Sequence, residues 1–153
     1  MKRCRIITTT LGGGKSTYIK SLIDNDKDSV GFFSIKREGA YVLMNISTKE
    51  ERLLMSTLKI SNQRFGRFYV DESVFGWAND ILLGYKDENV YIDEVGRLEL
   101  LGMGFDRALR EITKRDITLT IAVRDEFVDA IISKYGLENH QITKVPYIEN
   151  YSH

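Results

Sequence analysis

Thr9-Thr10-Leu11-Gly12-Gly13-Gly14-Lys15-Ser16-Thr17 is the stretch that decides the fold. Before it, residues 4–8 form a short apolar and β-branched run; after it, Tyr18, Ile19, Leu22 and Ile23 recur at helical spacing. The order is strand, loop, helix. Three consecutive glycines leave backbone N–H groups free to turn inward around an anion, where a side chain would obstruct them. The start of the helix adds partial positive charge at the same point. In this context Thr10, Leu11, Gly12, Gly13 and Gly14 read as a phosphate cradle. Lys15 would reach the β- and γ-phosphates, Ser16 would place its hydroxyl on magnesium, and Thr17 would touch the α-phosphate. A bare Gly-Lys-Ser triplet arises readily by chance, and a glycine turn with a solvated lysine is the plain alternative; the position between strand and helix carries the reading. One departure stands out. The usual eight-residue pattern begins with glycine, where this chain has Thr9. A β-branched residue there would be strained if the turn needs positive φ.

Working outward, residues 30–35 and 41–46 are strand-like and are separated by Lys36-Arg37-Glu38-Gly39, a hairpin turn by its charge and glycine. Residues 48–61 have mixed periodicity, which leaves a short helix and an irregular crossing both open. Residues 68–70 are extended, and Asp71 then caps a helix with Val74, Phe75, Ala78, Ile81 and Leu82 on one face, ended by Gly84. A strand over 89–95, a helix over 105–113, a strand over 117–123 and a helix through Phe127, Val128, Ile131 and Ile132 follow. Nearly continuous apolar strands alternating with helices imply an α/β three-layer sandwich. Its sheet is mostly parallel, with helices on both faces and the hairpin as an embellishment at one edge. At 153 residues one domain spanning 1–153 is expected. In such sheets ligands bind beyond the carboxyl ends of the strands.

At one of those ends Val90-Tyr91-Ile92 runs into the adjacent carboxylates Asp93 and Glu94. Phosphoryl transfer to water needs a cation on the phosphate oxygens and a group that orients or deprotonates the water. Asp93, with Ser16, suits the magnesium; Glu94, one residue on and pointing elsewhere, suits the water. A solvated strand terminus would look the same in isolation. Gly96 either admits a close approach to the γ-phosphate or is a turn glycine.

The longer run Asp93-Glu94-Val95-Gly96-Arg97-Leu98-Glu99-Leu100 resembles the extended acidic motif of the small P-loop nucleoside-triphosphatases of the thermophile type, the cancer-related nucleoside-triphosphatase family. Gly31-Phe32-Phe33, Arg37-Glu38-Gly39, Gly66-Arg67-Phe68-Tyr69-Val70-Asp71 and residues 119–124 support the likeness, which reaches to about Ile132. It implies hydrolysis of several nucleoside triphosphates with magnesium, on a sheet of the kinase and ATPase type, with a glutamate activating water. Residues 134–153 match only loosely.

Arg97 and Arg124 are candidates for supplying charge to the transition state, although most surface arginines are merely solvated. Arg37 is a weaker one. Glu99 is left open between support of the acidic pair and plain solvation. His140 and His153 are too few and too far apart for a zinc-type site. Trp77, Phe75 and Tyr85 could stack on a base but read as core by their helical spacing.

Lysine plus arginine equals aspartate plus glutamate at 22 each. That removes the strong positive field of a nucleic-acid or membrane-surface protein and leaves a nucleoside triphosphate such as ATP or GTP as the expected partner. The lone Cys4 reads as a buried, inert thiol in a reducing compartment. With no apolar run long enough to span a bilayer or form a signal-peptide core, a cytoplasmic protein is expected, monomeric or weakly homo-oligomeric. The expectation is a hydrolase. Its rivals are a nucleotide or small-molecule kinase, which needs an acceptor pocket and a closing lid, and a nucleotide-responsive binding module with weak turnover.

Overall fold

A computed structural model describes residues 1–9 and 15–145, the Lys15 side chain excepted. In chain order the elements are β1 (Arg3–Thr8), α1 (Lys15–Asp24), β2 (Ser29–Arg37), β3 (Ala40–Asn45), β4 (Glu51–Ser56), β5 (Arg64–Phe65), β6 (Phe68–Val70) and α2 (Glu72–Leu82). These are followed by β7 (Asn89–Ile92), α3 (Arg97–Leu100), α4 (Asp106–Ile112), β8 (Thr118–Ala122), a 3₁₀ turn (Asp125–Phe127), α5 (Val128–Tyr135) and β9 (Gln141–Lys144).

The strands form one sheet in the order β5-β6-β4-β3-β2-β7-β8-β1-β9. Its core is parallel: β2 pairs with β7, β7 with β8, β8 with β1 and β1 with β9. From β3 outward every pairing is antiparallel. The expected hairpin forms as β2 and β3, and what differs is its place in the sheet. Its first strand belongs to the parallel core, with Phe32 level with Ile92, and the embellishment is the β3–β6 extension beyond it. The ambiguous segment 48–61 contributes β4 to that extension, where Leu53 is 43% exposed, so its apolar residues do not share one buried face. Asp71 caps α2 as expected, accepting the Ser73 N–H at 3.0 Å.

Alternation along the strands sends side chains to two faces. One face collects Cys4, Ile6, Phe32, Val90, Ile92, Leu119 and Ile121 under α2, α4 and α5. Trp77 and Tyr85 pack against this cluster and Phe75 is within it, in keeping with the core reading; Trp77 meets Phe32 edge-on at 5.2 Å. The other face holds a smaller cluster in which Ile19 and Ile23 of α1 lie on Phe33, Tyr91 and Ala122. Because the chain leaves β1 for α1 on one face and leaves β8 for α5 on the other, the carboxyl ends of β1 and β8 form a topological switch point, the position at which open α/β sheets bind ligands. Cys4 is buried, and burial pushes its thiol up to about 11, as an inert thiol requires. Among the described residues no helix is long and apolar enough to cross a membrane.

Candidate active site

The amino end of α1 and the carboxyl end of β7 meet at this edge of the sheet. The Ser16 hydroxyl donates to Asp93 Oδ1 at 3.4 Å, so the two residues expected to share a metal are neighbours. Asp93 is 1% exposed and sits where the β2–β7 ladder runs out. Its N–H donates to the Phe32 carbonyl at 3.1 Å, and its Oδ2 accepts the Ser34 N–H at 3.4 Å. Two residues later the pairing has changed sides, for the Val95 N–H donates to Ala122 of β8 at 2.8 Å. In a regular strand residues i and i+2 address the same neighbour, so the peptide must rotate between them. Glu94 makes that rotation with φ +66° and presents its side chain to solvent. The left-handed region costs a residue with a Cβ roughly 1–2 kcal/mol. Such strain persists only where the surroundings impose it, and it concentrates at functional sites.

The strain expected of Thr9 does not arise. Among the described residues other than glycine, positive φ occurs at Lys49 and Glu94, and Thr9 is buried at the end of β1. Thr10, Leu11, Gly12, Gly13, Gly14, the Lys15 side chain and His153 lie outside the described residues. Thr17 is exposed on the first turn of α1.

Gly96 is a bend residue at the amino end of α3. Its φ of −177° is extended, but a Cβ there would come within 3.1 Å of the Phe127 ring, so the missing side chain makes room for the turn after β8. Arg97 opens α3 with its guanidinium 5.8 Å from the centre of the Phe65 ring. Arg124 follows β8, pairs with Glu126 at 2.6 Å and lies 5.8 Å from the Phe127 ring. Both arginines are exposed. Arg37 is engaged with Glu51 at 3.2 Å on the hairpin, and His140 Nδ1 lies 2.5 Å from the Leu137 carbonyl.

One feature escaped sequence reasoning and a second was left open by it. Thr8 donates its hydroxyl to Asp125 at 2.5 Å, and Lys144 pairs with the same carboxylate at 3.2 Å, lacing together the carboxyl ends of β1, β8 and β9. The Thr8 hydrogen bond, with help from Lys144, holds Asp125 below the usual carboxylate range. The position of Asp125 just past a strand was the available signal. The second feature is Glu99, which is 2% exposed rather than solvated, with both carboxylate oxygens accepting backbone N–H groups: Gly96 at 2.7 Å and Phe105 at 2.9 Å.

Among the described residues no group of three or more His, Cys, Asp or Glu side chains could hold a metal ion unaided. A hydroxyl and a carboxylate are nonetheless the hard oxygen donors that magnesium takes from protein while phosphate oxygens and water supply the rest. Ser16 and Asp93 fit that role.

A parallel sheet that inserts β8 between the strand leading to the glycine loop and the strand ending in the acidic pair, with a helix starting at that loop, defines an α/β protein of the P-loop NTPase fold. The NTPase family model matches residues 4–146, and the chain belongs to that family. The nucleoside-triphosphatase THEP1 of Thermotoga sp. (strain RQ2) is 30% identical over 136 residues, covering 82% of this chain and 78% of that protein. Its counterpart from Thermotoga petrophila is 30% identical over 143 residues, covering 86% and 79%. Among solved structures, THEP1 from the hyperthermophile Aquifex aeolicus superposes with a TM-score of 0.69 over 97% of this chain and 92% of its own; at 16% identity the likeness is one of fold.

Proposed function

We propose that this chain hydrolyses nucleoside 5′-triphosphates, ATP and GTP among them, to the diphosphate and phosphate in a magnesium-dependent reaction in the cytoplasm. Membership of the NTPase family supports the reaction class. The observation that carries the site assignment is the 3.4 Å approach of the Ser16 hydroxyl to buried Asp93, beside exposed Glu94. The buried lone thiol supports a reducing compartment.

In this reading residues 10–14 and Thr17 bind the phosphates, and Lys15 lies along the β- and γ-phosphates. Magnesium, held by Ser16 and Asp93, would supply charge neutralisation on the phosphate oxygens. The Glu94 carboxylate orients a water and accepts its proton as the water oxygen bonds to the γ-phosphorus. The bond from that phosphorus to the β–γ bridging oxygen breaks, and its electron pair leaves with the diphosphate. Arg97 and Arg124 remain candidates for the charge that develops there.

The test is phosphate release from ATP, GTP, CTP and UTP with magnesium, comparing wild type with Lys15→Ala and Glu94→Gln. Glu94→Gln is expected to lower kcat by at least about 10²-fold, the ordinary worth of a positioned base, while still binding nucleotide, and Lys15→Ala by about as much through loss of a cation from the phosphates. Binding without release from any of the four by the wild type would sink the hydrolase reading and favour a kinase or a nucleotide-operated switch.

A further inference from the structure

The loop that carries the acidic pair is held from behind by a buried carboxylate. Glu99 is buried in α3, one oxygen accepting the Gly96 N–H at 2.7 Å and the other the Phe105 N–H at 2.9 Å. Gly104, at φ +61°, is shaped to it: a Cβ at that position would stand 2.0 Å from Glu99 Oε2. The rest of the seat is polar and tied down. Lys134 and Tyr135 of α5 donate to the Glu99 backbone carbonyl, and both also reach Asp106 of α4, Lys134 at 3.1 Å and Tyr135 at 2.6 Å.

Gly96 lies two residues beyond Glu94, whose left-handed backbone stores strain that a relaxed loop would shed. A hydrogen bond to a buried carboxylate is among the stronger tethers available to a backbone N–H. We infer that Glu99 is a positioning residue for hydrolysis: by clamping the Gly96 and Phe105 N–H groups together it holds the loop so that Glu94 keeps the geometry in which it serves the water. The inference rests on the hydrolase reading above.

The clamp needs an ionised carboxylate, since a protonated one turns one of its two acceptor oxygens into a donor. Burial pushes Glu99 up to about 7 against the two backbone hydrogen bonds, so the clamp weakens as pH falls through that value. The charged and titratable groups around it are Glu94 on the loop, Asp106 and Arg110 on α4, and Lys134 and Tyr135 on α5.

The experiment compares the pH dependence of kcat and KM for wild type and Glu99→Gln, with nucleotide affinity and melting temperature measured alongside. Glutamine keeps the volume and one acceptor oxygen and does not titrate. The expected result is a kcat at pH 8 lower by 10-fold or more, with KM and nucleotide affinity within about 3-fold, a melting temperature within a few degrees, and loss of the part of the acid limb that wild type shows near pH 7. The substrate's own terminal phosphate ionises in that region, so the limb is read as the difference between the two proteins. Unchanged kcat and an unchanged limb would overturn the inference, as would a loss of kcat that only tracks lost stability or lost nucleotide binding. Should the glutamine variant not fold, Glu99→Asp decides by the same KM-against-kcat split, because a carboxylate one methylene shorter cannot span both N–H groups. A wild type that releases no phosphate would instead remove the hydrolase reading itself.

Discussion

The two faces of the sheet are built to different depths. On one, α2, α4 and α5 cover a cluster in which Phe32, Leu109, Ile112, Leu119 and Ile121 are fully buried. On the other, among the described residues, the cluster is small: Ile19 and Ile23 of α1 on Phe33, Ile46, Tyr91 and Ala122. Ser16 and Asp93 belong to the shallow side, since α1 starts there and Asp93 shares the side of the strand that Tyr91 faces. Most of the stabilising area thus lies on one face and the expected phosphate-binding helix on the other. That helix is anchored by few apolar side chains, so its local stability is expected to be the lower of the two faces.

The division can be broken most sharply on the deep face. Phe105 meets Phe75 edge-on at 5.3 Å and supplies one of the N–H groups that Glu99 holds. Phe105→Ala is expected to cost about 3–5 kcal/mol in denaturant unfolding, a large share of the stability of any small domain, with nucleotide adding the same increment of stability as it adds to wild type. On the shallow face, Ile19→Ala is expected to cost about 2–3 kcal/mol and to weaken nucleotide binding severalfold as α1 loosens, so a given nucleotide concentration should raise its melting temperature less than it raises that of wild type. Nucleotide affinity unchanged in Ile19→Ala would show that the faces are not divided in this way. The smallest effect separates stability from activity at a single residue. Glu94→Gly relieves the left-handed strain and should raise stability by about 1 kcal/mol in the same unfolding experiment, while phosphate release stops.

How far these features could be read in advance depended on whether they were local. The strand–loop–helix around Lys15, the strand into Asp93 and Glu94, and the capped helix after Asp71 each announce themselves within a few residues, and the fold follows from their alternation. What was missed depends on distant partners. The short α3 exists because the Glu99 side chain reaches back to Gly96 and on to Phe105, and nothing in Arg97-Leu98-Glu99-Leu100 alone distinguishes that from a solvated acidic turn. β9, at the sheet edge and largely exposed, has almost no alternation to read and is defined by its pairing with β1. The position of β2 inside the parallel core was hidden for a related reason: a strand that is parallel to one neighbour and antiparallel to the other carries the same apolar pattern as either half of a hairpin.

The placement of β8 also has a consequence for how the molecule is made. Within the described sheet β1 pairs only with β8 and β9, and its first partner residue, Thr118, lies more than a hundred positions further along the chain. At ordinary rates of synthesis, about 5–20 residues per second, the strand that leads to the glycine loop spends roughly ten seconds outside the tunnel without a neighbour. Closing so long a loop is also the slow kind of event in folding. The junction of β1 with β8 therefore forms only after Thr118 and the residues that follow it have emerged, and a ribosome-bound fragment that stops short of Thr118 carries the glycine loop and the acidic pair without the strand that joins them.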